Sequence, residues 1–248
     1  MTAIDVSVIN ASDAVSDADC RALTDALQVQ VSRDFAPAWH IDANLTFVPK
    51  AQKPAAGTWW LSILDNTDRA GVLGHHDLTP DGLPIGKSFA GTDKHYGFEW
   101  TVTASHELLE MLANPDVNLA VLVHPDHGDS KLYAYEVCDP CEDDAHAYSI
   151  DGIKVCNFVY PAYFQTFRLP GSARFDHQGK LTAPVPALLP GGYISTFDVN
   201  DTAGWQHLAA ATSDTGMLAR AAAPGRVSSR RERRQRPRAN WQCSTAFQ

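Results

Sequence analysis

The chain has 248 residues, a hydrophobic content of 44% and a formal net charge of −9 at pH 7. These values are typical of a globular protein, and no apolar run approaches the roughly 18 residues that a membrane helix needs. Residues 220–238 contain eight Arg against one Glu, a local charge of +7, which leaves −16 for the rest of the chain. An acidic body of this kind argues against a nucleic-acid-binding function.

The N-terminus carries no basic segment followed by an apolar stretch, so the sequence shows no secretory signal. We therefore expect a cytoplasmic protein, with export by a route that leaves no N-terminal signal as the alternative. The five Cys are few, odd in number and scattered, which argues against a disulfide framework.

The first part of the chain predicts alternating strands and one helix. Residues 4–10 alternate in polarity and predict a first strand. Ser16 is a predicted N-cap, and apolar residues at four-residue spacing extend the following helix to about Phe35. Further strands are predicted at residues 45–48 and 59–65, the second of which is apolar enough to be central in a sheet.

The middle of the chain predicts a loop followed by a helix. Residues 71–94 are rich in Gly, Pro and Asp, which is typical of loops and turns. Within them, residues 87–90 predict a short edge strand. A helix is expected from about residue 101 to residue 113, where Asn114-Pro115 ends it.

Beyond this helix the pattern returns to short strands. Residues 130–137 predict a strand that runs into an acidic cluster at residues 136–144. Residues 150–158 predict its hairpin partner, because Asp151-Gly152 is a turn signal. A further strand is predicted at 194–199. The basic segment 220–248 has no apolar period and predicts a disordered tail.

One short motif lies inside the predicted helix: His106-Glu107-x-x-Glu110. Residues four apart lie on the same face of a helix, so His106 and Glu110 are placed to bind one metal ion together. Glu107 lies about a hundred degrees around the helix, where it can hold a water beside that ion. A helix that carries these three residues by chance is the alternative.

The motif resembles the active-site helix of the zincin superfamily of metallopeptidases, with a carboxylate in place of the second imidazole. The order of predicted elements over roughly the first 115 residues is also similar. The resemblance implies an α+β fold, in which a mixed, twisted sheet with an edge strand packs on the active-site helix. It also implies one catalytic domain over residues 1–219, followed by the basic tail.

The resemblance further implies a third protein ligand downstream, with one metal position open for water. The acidic cluster supplies the candidates, Glu136 and Asp139 first and Glu142 next. His124 and His127 are alternatives. The expected cofactor is a divalent metal, with zinc first by resemblance and Mn²⁺ or Ca²⁺ as alternatives, because carboxylate ligands favour harder ions.

Two other motifs are candidates for chemistry. Cys138-x-x-Cys141 is a redox pair, half of a structural metal site, or a pair of incidental thiols. His75-His76 lies in the predicted loop before the expected edge strand. His76 is a catalytic candidate that could orient substrate or stabilise an oxyanion, with a polar loop residue as the alternative.

The leading hypothesis is a metal-dependent hydrolase, a metallopeptidase that cleaves a peptide or amide bond with metal-activated water. Glu107 is its predicted base, which takes a proton from that water and passes it to the leaving nitrogen. The expected partner is a peptide or protein substrate, with no nucleic acid and no membrane. The alternatives are a non-catalytic, metal-stabilised domain of similar fold, such as a phage or secretion-associated structural protein, and a redox protein that works through Cys138 and Cys141.

Overall fold

The computed structural model describes residues 4–68, 71–124, 130–200 and 204–210 of the chain. The strands are β1 (Ile4–Asn10), β2 (Ala43–Val48), β3 (Trp59–Leu64), β4 (Gly74–Leu78), β5 (Pro84–Phe89), β6 (Ala120–Val123), β7 (Lys131–Ala134), β8 (Tyr148–Ile150), β9 (Ile153–Val155), β10 (Tyr193–Asp198) and β11 (Trp205–Ala209). The α-helices are α1 (Asp17–Val29), α2 (Ala36–Trp39), α3 (Ala90–Tyr96) and α4 (Trp100–Ala113). The predicted tail, 220–248, lies outside the described residues. None of the described helices is long and apolar enough to span a membrane.

The main sheet is mixed and has the strand order β2-β1-β3-β5-β4. β2, β1, β3 and β5 run parallel to one another, and β4 pairs antiparallel with β5. Val8, Leu61 and Ile63 of the central strands are fully buried in the core. This architecture confirms the α+β class and the mixed sheet. Within the described part of the chain, β4 is an edge strand of this sheet.

The first helix begins where its sequence predicts. The Ser16 hydroxyl accepts a hydrogen bond from the Asp19 amide, and the Asp19 carboxylate accepts one from the Ser16 amide. This capping box satisfies two amide groups that the first helical turn leaves unpaired. The predicted helix to about Phe35 is confirmed, although its last part, Gln30–Phe35, is a π-helix that continues into α2.

Three expectations for residues 71–94 were wrong. Residues 91–94 belong to helix α3 and not to a loop. Residues 74–78 are strand β4 and not loop, and the predicted edge strand at 87–90 is the end of β5, which lies between β3 and β4. Pairing explains the difference, because an edge strand tolerates Gly and polar residues that a central strand would not. The Gly-rich turn between the strands is closed by the Thr79 amide, which donates to the Leu83 carbonyl at 2.7 Å.

The helix α4 is buried along its whole length, polar residues included. It packs against β4 and β5 on one side and against β9 on another. The Asn114 amide donates to the Glu110 carbonyl at 2.8 Å, after which Pro115 prevents continuation. Burial of the polar positions distinguishes α4 from a surface helix whose charged residues face water.

The later strands form a second sheet and a hairpin. The second sheet has the antiparallel order β11-β10-β7-β6, which confirms the strand predicted at 130–137 in shorter form and the strand predicted at 194–199 with a shift of one residue. The predicted pairing of 150–158 with 130–137 was wrong, because β9 pairs with β8. Asp151 and Gly152 both have positive φ, so their two-residue turn closes the local hairpin instead.

Candidate metal centre

The three polar residues of the motif meet in the interior, on the side of α4 that faces the sheet and the segment after β7. His106 is 5% exposed, Glu107 is 4% exposed and Glu110 is fully buried. The His106 Nε2 atom lies 3.2 Å from Glu110 Oε1, as the four-residue spacing on a helix predicts. α4 therefore presents an imidazole and a carboxylate to the same point.

The turn after β7 places further polar groups beside His106 and Glu110. The Cys138 and Asp139 amides both donate to Glu110 Oε1 at 3.3 Å. Asp139 Oδ1 lies 3.2 Å from His106 Nε2, and Asp139 is fully buried. A Cβ at Gly192 would collide with the Pro140 carbonyl, so the chain before β10 packs closely against this turn.

The segment after β7 also supplies Glu136. Together with residues of α4, of β4 and of the turn after β7, it forms one buried cluster, which consists of His76, His106, Glu107, Glu110, Glu136 and Asp139. The Glu136 carboxylate is fully buried, and its Oε1 atom accepts a hydrogen bond from the Asn114 side chain at 3.2 Å. Asn114 is the residue at which α4 ends, and its side-chain Oδ1 atom accepts from the amides of Asn118 and Leu119. The residue that ends α4 thus also orients a predicted ligand.

His76 reaches the cluster from the edge strand β4. Its Nδ1 atom lies 3.6 Å from Glu107 Oε2 and 3.5 Å from Glu110 Oε2, and its Nε2 atom lies 3.7 Å from Glu136 Oε2. The imidazole is fully buried. The neighbouring His75 contacts Asp68 and Phe89 instead, since successive side chains of a strand point to opposite faces.

Two glycines allow β4 and β5 to approach α4 this closely. A Cβ at Gly74 would lie 2.7 Å from Glu107 Oε1 and 2.8 Å from Thr103 Cγ2. A Cβ at Gly86 would lie 3.1 Å from Leu61 Cδ1 and 3.5 Å from the Glu107 backbone oxygen. These roles were not predicted, because both glycines fall in the segment 71–94 that predicts a loop, Gly74 directly before the two histidines and Gly86 directly before the predicted strand 87–90.

The electrostatics of the cluster are dominated by buried carboxylates. Burial by itself lowers the pKa of His106, but the charge of Glu110 and the hydrogen bond to Asp139 outweigh it. The pKa of His106 therefore lies well above its ordinary value. An environment that stabilises a protonated imidazole this strongly also favours a bound cation.

The cysteines form a buried network behind the cluster. Cys138 Sγ lies 3.4 Å from Cys156 Sγ, and Ser105 links Cys156 to Gln30 through hydrogen bonds of 3.1 and 2.7 Å. Burial is the main cause that raises the pKa of both Cys138 and Cys141 well above the ordinary thiol value. A redox pair needs an accessible, acidic thiol, so this arrangement weakens the redox hypothesis. The sequence analysis did not single out Cys156.

Other candidates of the sequence lie elsewhere. His124 is exposed and its Nδ1 atom lies 2.6 Å from the Ser130 hydroxyl. Glu142 is half-buried, and neither residue belongs to a donor set found among the described residues. His127 lies outside the described residues.

Two donor sets within the cluster have the composition of a metal site. The first is His106, Glu110 and Cys138, and the second is His76, Glu110 and Glu136. In each set the donor atoms lie within 4.8 Å of one another and all three residues are buried. Ligands at about 2.1 Å from a tetrahedral zinc are roughly 3.4 Å apart, close to the 3.2 Å that separates His106 Nε2 from Glu110 and from Asp139. The donor types and spacing therefore fit a divalent ion.

Comparisons with protein-family models, with curated proteins and with solved structures find no match for this chain. A functional interpretation therefore depends on the chemistry of these side chains. Fold-level analogy alone does not establish an activity.

Proposed function

We propose that the chain is a metal-dependent hydrolase of zincin-like fold, a metallopeptidase that cleaves a peptide or amide bond. Three features support the proposal together. The main sheet is mixed, its antiparallel edge strand β4 packs on α4, and α4 carries the His-Glu-x-x-Glu motif on the side that faces β4 and the segment after β7. Each is a feature that the resemblance to zincins implies.

In this proposal a divalent ion is bound by His106 and Glu110 from α4 and by Asp139 from the following turn. Asp139 is chosen because its Oδ1 atom lies 3.2 Å from His106 Nε2, and Cys138, which forms a donor set with His106 and Glu110, is the alternative third ligand. Imidazole and thiol donors favour zinc, whereas a set of one imidazole and two carboxylates also suits Mn²⁺. Two distant segments of the chain are then held by one ion, so metal binding and stability are coupled.

The placement of Glu107 carries the catalytic part of the proposal. Glu107 is buried beside both donor sets but belongs to neither of them, and its Oε2 atom faces His76. A divalent ion bound by these residues would supply Lewis acidity to the substrate carbonyl and would lower the pKa of the attacking water. Glu107 accepts the proton of that water and passes it to the leaving nitrogen, and His76 orients Glu107.

The substrate is proposed to bind along β4. An extended peptide can add to the outer edge of a sheet through main-chain hydrogen bonds. A cavity of about 900 Å³ adjoins the start of this strand and is lined by Leu73, Thr92, Tyr96 and Phe98, among others. No residue of the buried cluster lines this cavity, but its lining residue Leu73 directly precedes Gly74, at which an added Cβ would lie 2.7 Å from Glu107 Oε1; we propose the cavity for a substrate side chain on this proximity.

A second function is favoured by the burial of the cluster. His76, Glu110, Glu136 and Asp139 are fully buried, and His106 and Glu107 are at most 5% exposed. Structural metal sites are closed, whereas catalytic sites keep one position open to solvent or substrate. A non-catalytic domain whose ion fixes the loops around α4 is therefore the competing proposal.

Peptide cleavage by metal-loaded protein separates the two proposals. We expect the zinc- or manganese-loaded chain to cleave members of a peptide library, and Glu107→Gln to lose most of that activity while it keeps its metal. Glu99→Gln is the matched control, because the Glu99 side chain is 45% exposed and pairs with Lys154. A metal-loaded wild-type protein that cleaves nothing in the library would support the structural role instead.

A further inference from the structure

The carboxylate of Glu110 faces two imidazoles at once. Its Oε1 atom lies 3.2 Å from His106 Nε2, and its Oε2 atom lies 3.5 Å from His76 Nδ1. The two histidines come from different elements, α4 and β4. A carboxylate placed between two imidazoles in this way has the geometry of a bridging ligand.

Each imidazole belongs to its own donor set. His106 combines with Glu110 and Cys138, with Asp139 at 3.2 Å, and His76 combines with Glu110 and Glu136. Glu110 is the residue that the two sets share. Paired metal sites in hydrolytic enzymes hold their ions about 3.5–4 Å apart, a separation that one carboxylate can bridge.

The charge of the cluster also points to more than one cation. Glu107, Glu110, Glu136 and Asp139 bring four formal negative charges to a buried site. With both imidazoles neutral, one divalent ion offsets half of that charge and two ions offset all of it. Because charges in a protein interior interact strongly, the second ion has a large electrostatic advantage.

We propose that this cluster is a dinuclear centre, in which two divalent cations share the carboxylate of Glu110. The first ion, on which the proposed hydrolase function rests, is bound by His106 and Asp139. The second ion is bound by His76 and Glu136. Nδ1 of His76 faces Glu110 and Nε2 faces Glu136, so whichever nitrogen binds this ion, the other one faces a carboxylate, an arrangement that commonly orients metal-binding histidines.

Ion counting on the purified full-length chain tests the proposal. The protein is stripped with a chelator, reloaded separately with Zn²⁺ and with Mn²⁺, dialysed, and measured for ions per chain. We expect about two ions per chain in the wild type and about one in His76→Ala, in Glu136→Gln and in His106→Ala. His95 is exposed, the Glu99 side chain is 45% exposed, and neither residue belongs to a donor set in the described part of the chain, so His95→Ala and Glu99→Gln are matched controls that keep both ions.

The manganese-loaded protein gives a second, independent readout. Two Mn²⁺ ions that share a carboxylate are magnetically coupled, so the wild type should show an exchange-coupled electron paramagnetic resonance signal. Glu136→Gln should convert it to the signal of isolated Mn²⁺. Circular dichroism identifies any variant that fails to fold, and for such a variant the coupled signal of the wild type decides the question.

One ion per chain in the wild type, with no coupled signal, overturns the dinuclear proposal and leaves the single-ion hydrolase intact. No bound ion overturns both. Two coupled ions in a protein that cleaves no peptide support the dinuclear centre and contradict the peptidase function. The two proposals therefore fail in different experiments.

Discussion

Replacing Gly74 with Ala places a methyl group where Glu107 now lies. The new Cβ would be 2.7 Å from Glu107 Oε1, 2.8 Å from Glu107 Cγ and 2.8 Å from Thr103 Cγ2. Carbon atoms at van der Waals contact are about 3.5–4.0 Å apart, so all three contacts are severe. Either β4 moves away from α4 or Glu107 leaves its position.

The size of the effect follows from the packing. Overpacking a buried site costs about 1–3 kcal/mol, and three collisions with buried atoms place Gly74→Ala in the upper part of that range. For a chain of this size, we expect the melting temperature to fall by roughly 4–10 °C. Gly86→Ala is the comparison, because its Cβ meets only the end of the Leu61 side chain closely, at 3.1 Å. Its cost is expected to stay below about 1 kcal/mol.

Thermal unfolding of chelator-treated protein measures both variants without interference from bound metal. A double-mutant cycle then identifies the cause, since Glu107→Ala removes two of the three colliding atoms. In that background Gly74→Ala should lose half or more of its cost, a coupling of about 1 kcal/mol or greater. If Gly74→Ala melts like the wild type, or if its cost is unchanged beside Glu107→Ala, β4 does not pack against Glu107 as described.

Three further predictions concern metal, catalysis and pH. With free metal at a hundredfold excess over its Kd, binding adds about 2.7 kcal/mol to the free energy of unfolding, so chelation should lower the melting temperature by roughly 5–10 °C. Glu136→Gln should reproduce part of this fall in melting temperature, and Glu99→Gln should reproduce none of it. Glu107→Gln should retain bound metal but cut peptide hydrolysis by roughly a hundredfold, and loss of the metal instead would make Glu107 a ligand. The pKa of Asp65 lies below 3.8 in the folded chain, chiefly because Asp65 accepts a hydrogen bond from Ser12. The ionised carboxylate therefore stabilises the folded chain above that pH, and this stabilisation is lost as the pH falls through the folded pKa. The difference in melting temperature between wild type and Asp65→Asn should therefore be present at pH 7 and shrink below pH 3.8; an equal difference at both would contradict this role.

The parts of the fold that could be predicted from the sequence are those with local signals. Ser16 and Asp19 form a capping box within four residues, and the α1 pattern repeats every four. The placement of His106, Glu107 and Glu110 also depends only on helical geometry. Such features need no knowledge of distant partners, which is why they agree with the structure.

The edge strand β4 shows why the rest could not be predicted. Gly74, His75, His76 and Asp77 carry no apolar alternation, so their sequence resembles a loop. They form a strand because β5 offers them a partner, with His76 opposite Gly86. Pairing between strands depends on tertiary context, and that context decided the outcome here.

The candidate site also combines residues that the sequence predicts with residues whose position depends on tertiary structure. The acidic sequence after β7 predicted Glu136 and Asp139 as candidate ligands. In the structure, Glu136 lies beside His76, and Asp139 lies beside His106 of α4. Their role as ligands stays a prediction. The position of His76 between Glu107, Glu110 and Glu136 depends on how β4 lies across α4, which no spacing along the chain reveals.

An anomalous-difference map from crystals of the zinc-loaded, full-length chain, collected at the zinc absorption edge, tests the metal centre most directly. We expect a strong peak about 2.0–2.2 Å from His106 Nε2 and from a Glu110 oxygen, with the Asp139 carboxylate beside it. A zinc peak held only by surface residues, or no peak at this cluster in crystals of protein that carries zinc in solution, would contradict the proposed metal centre.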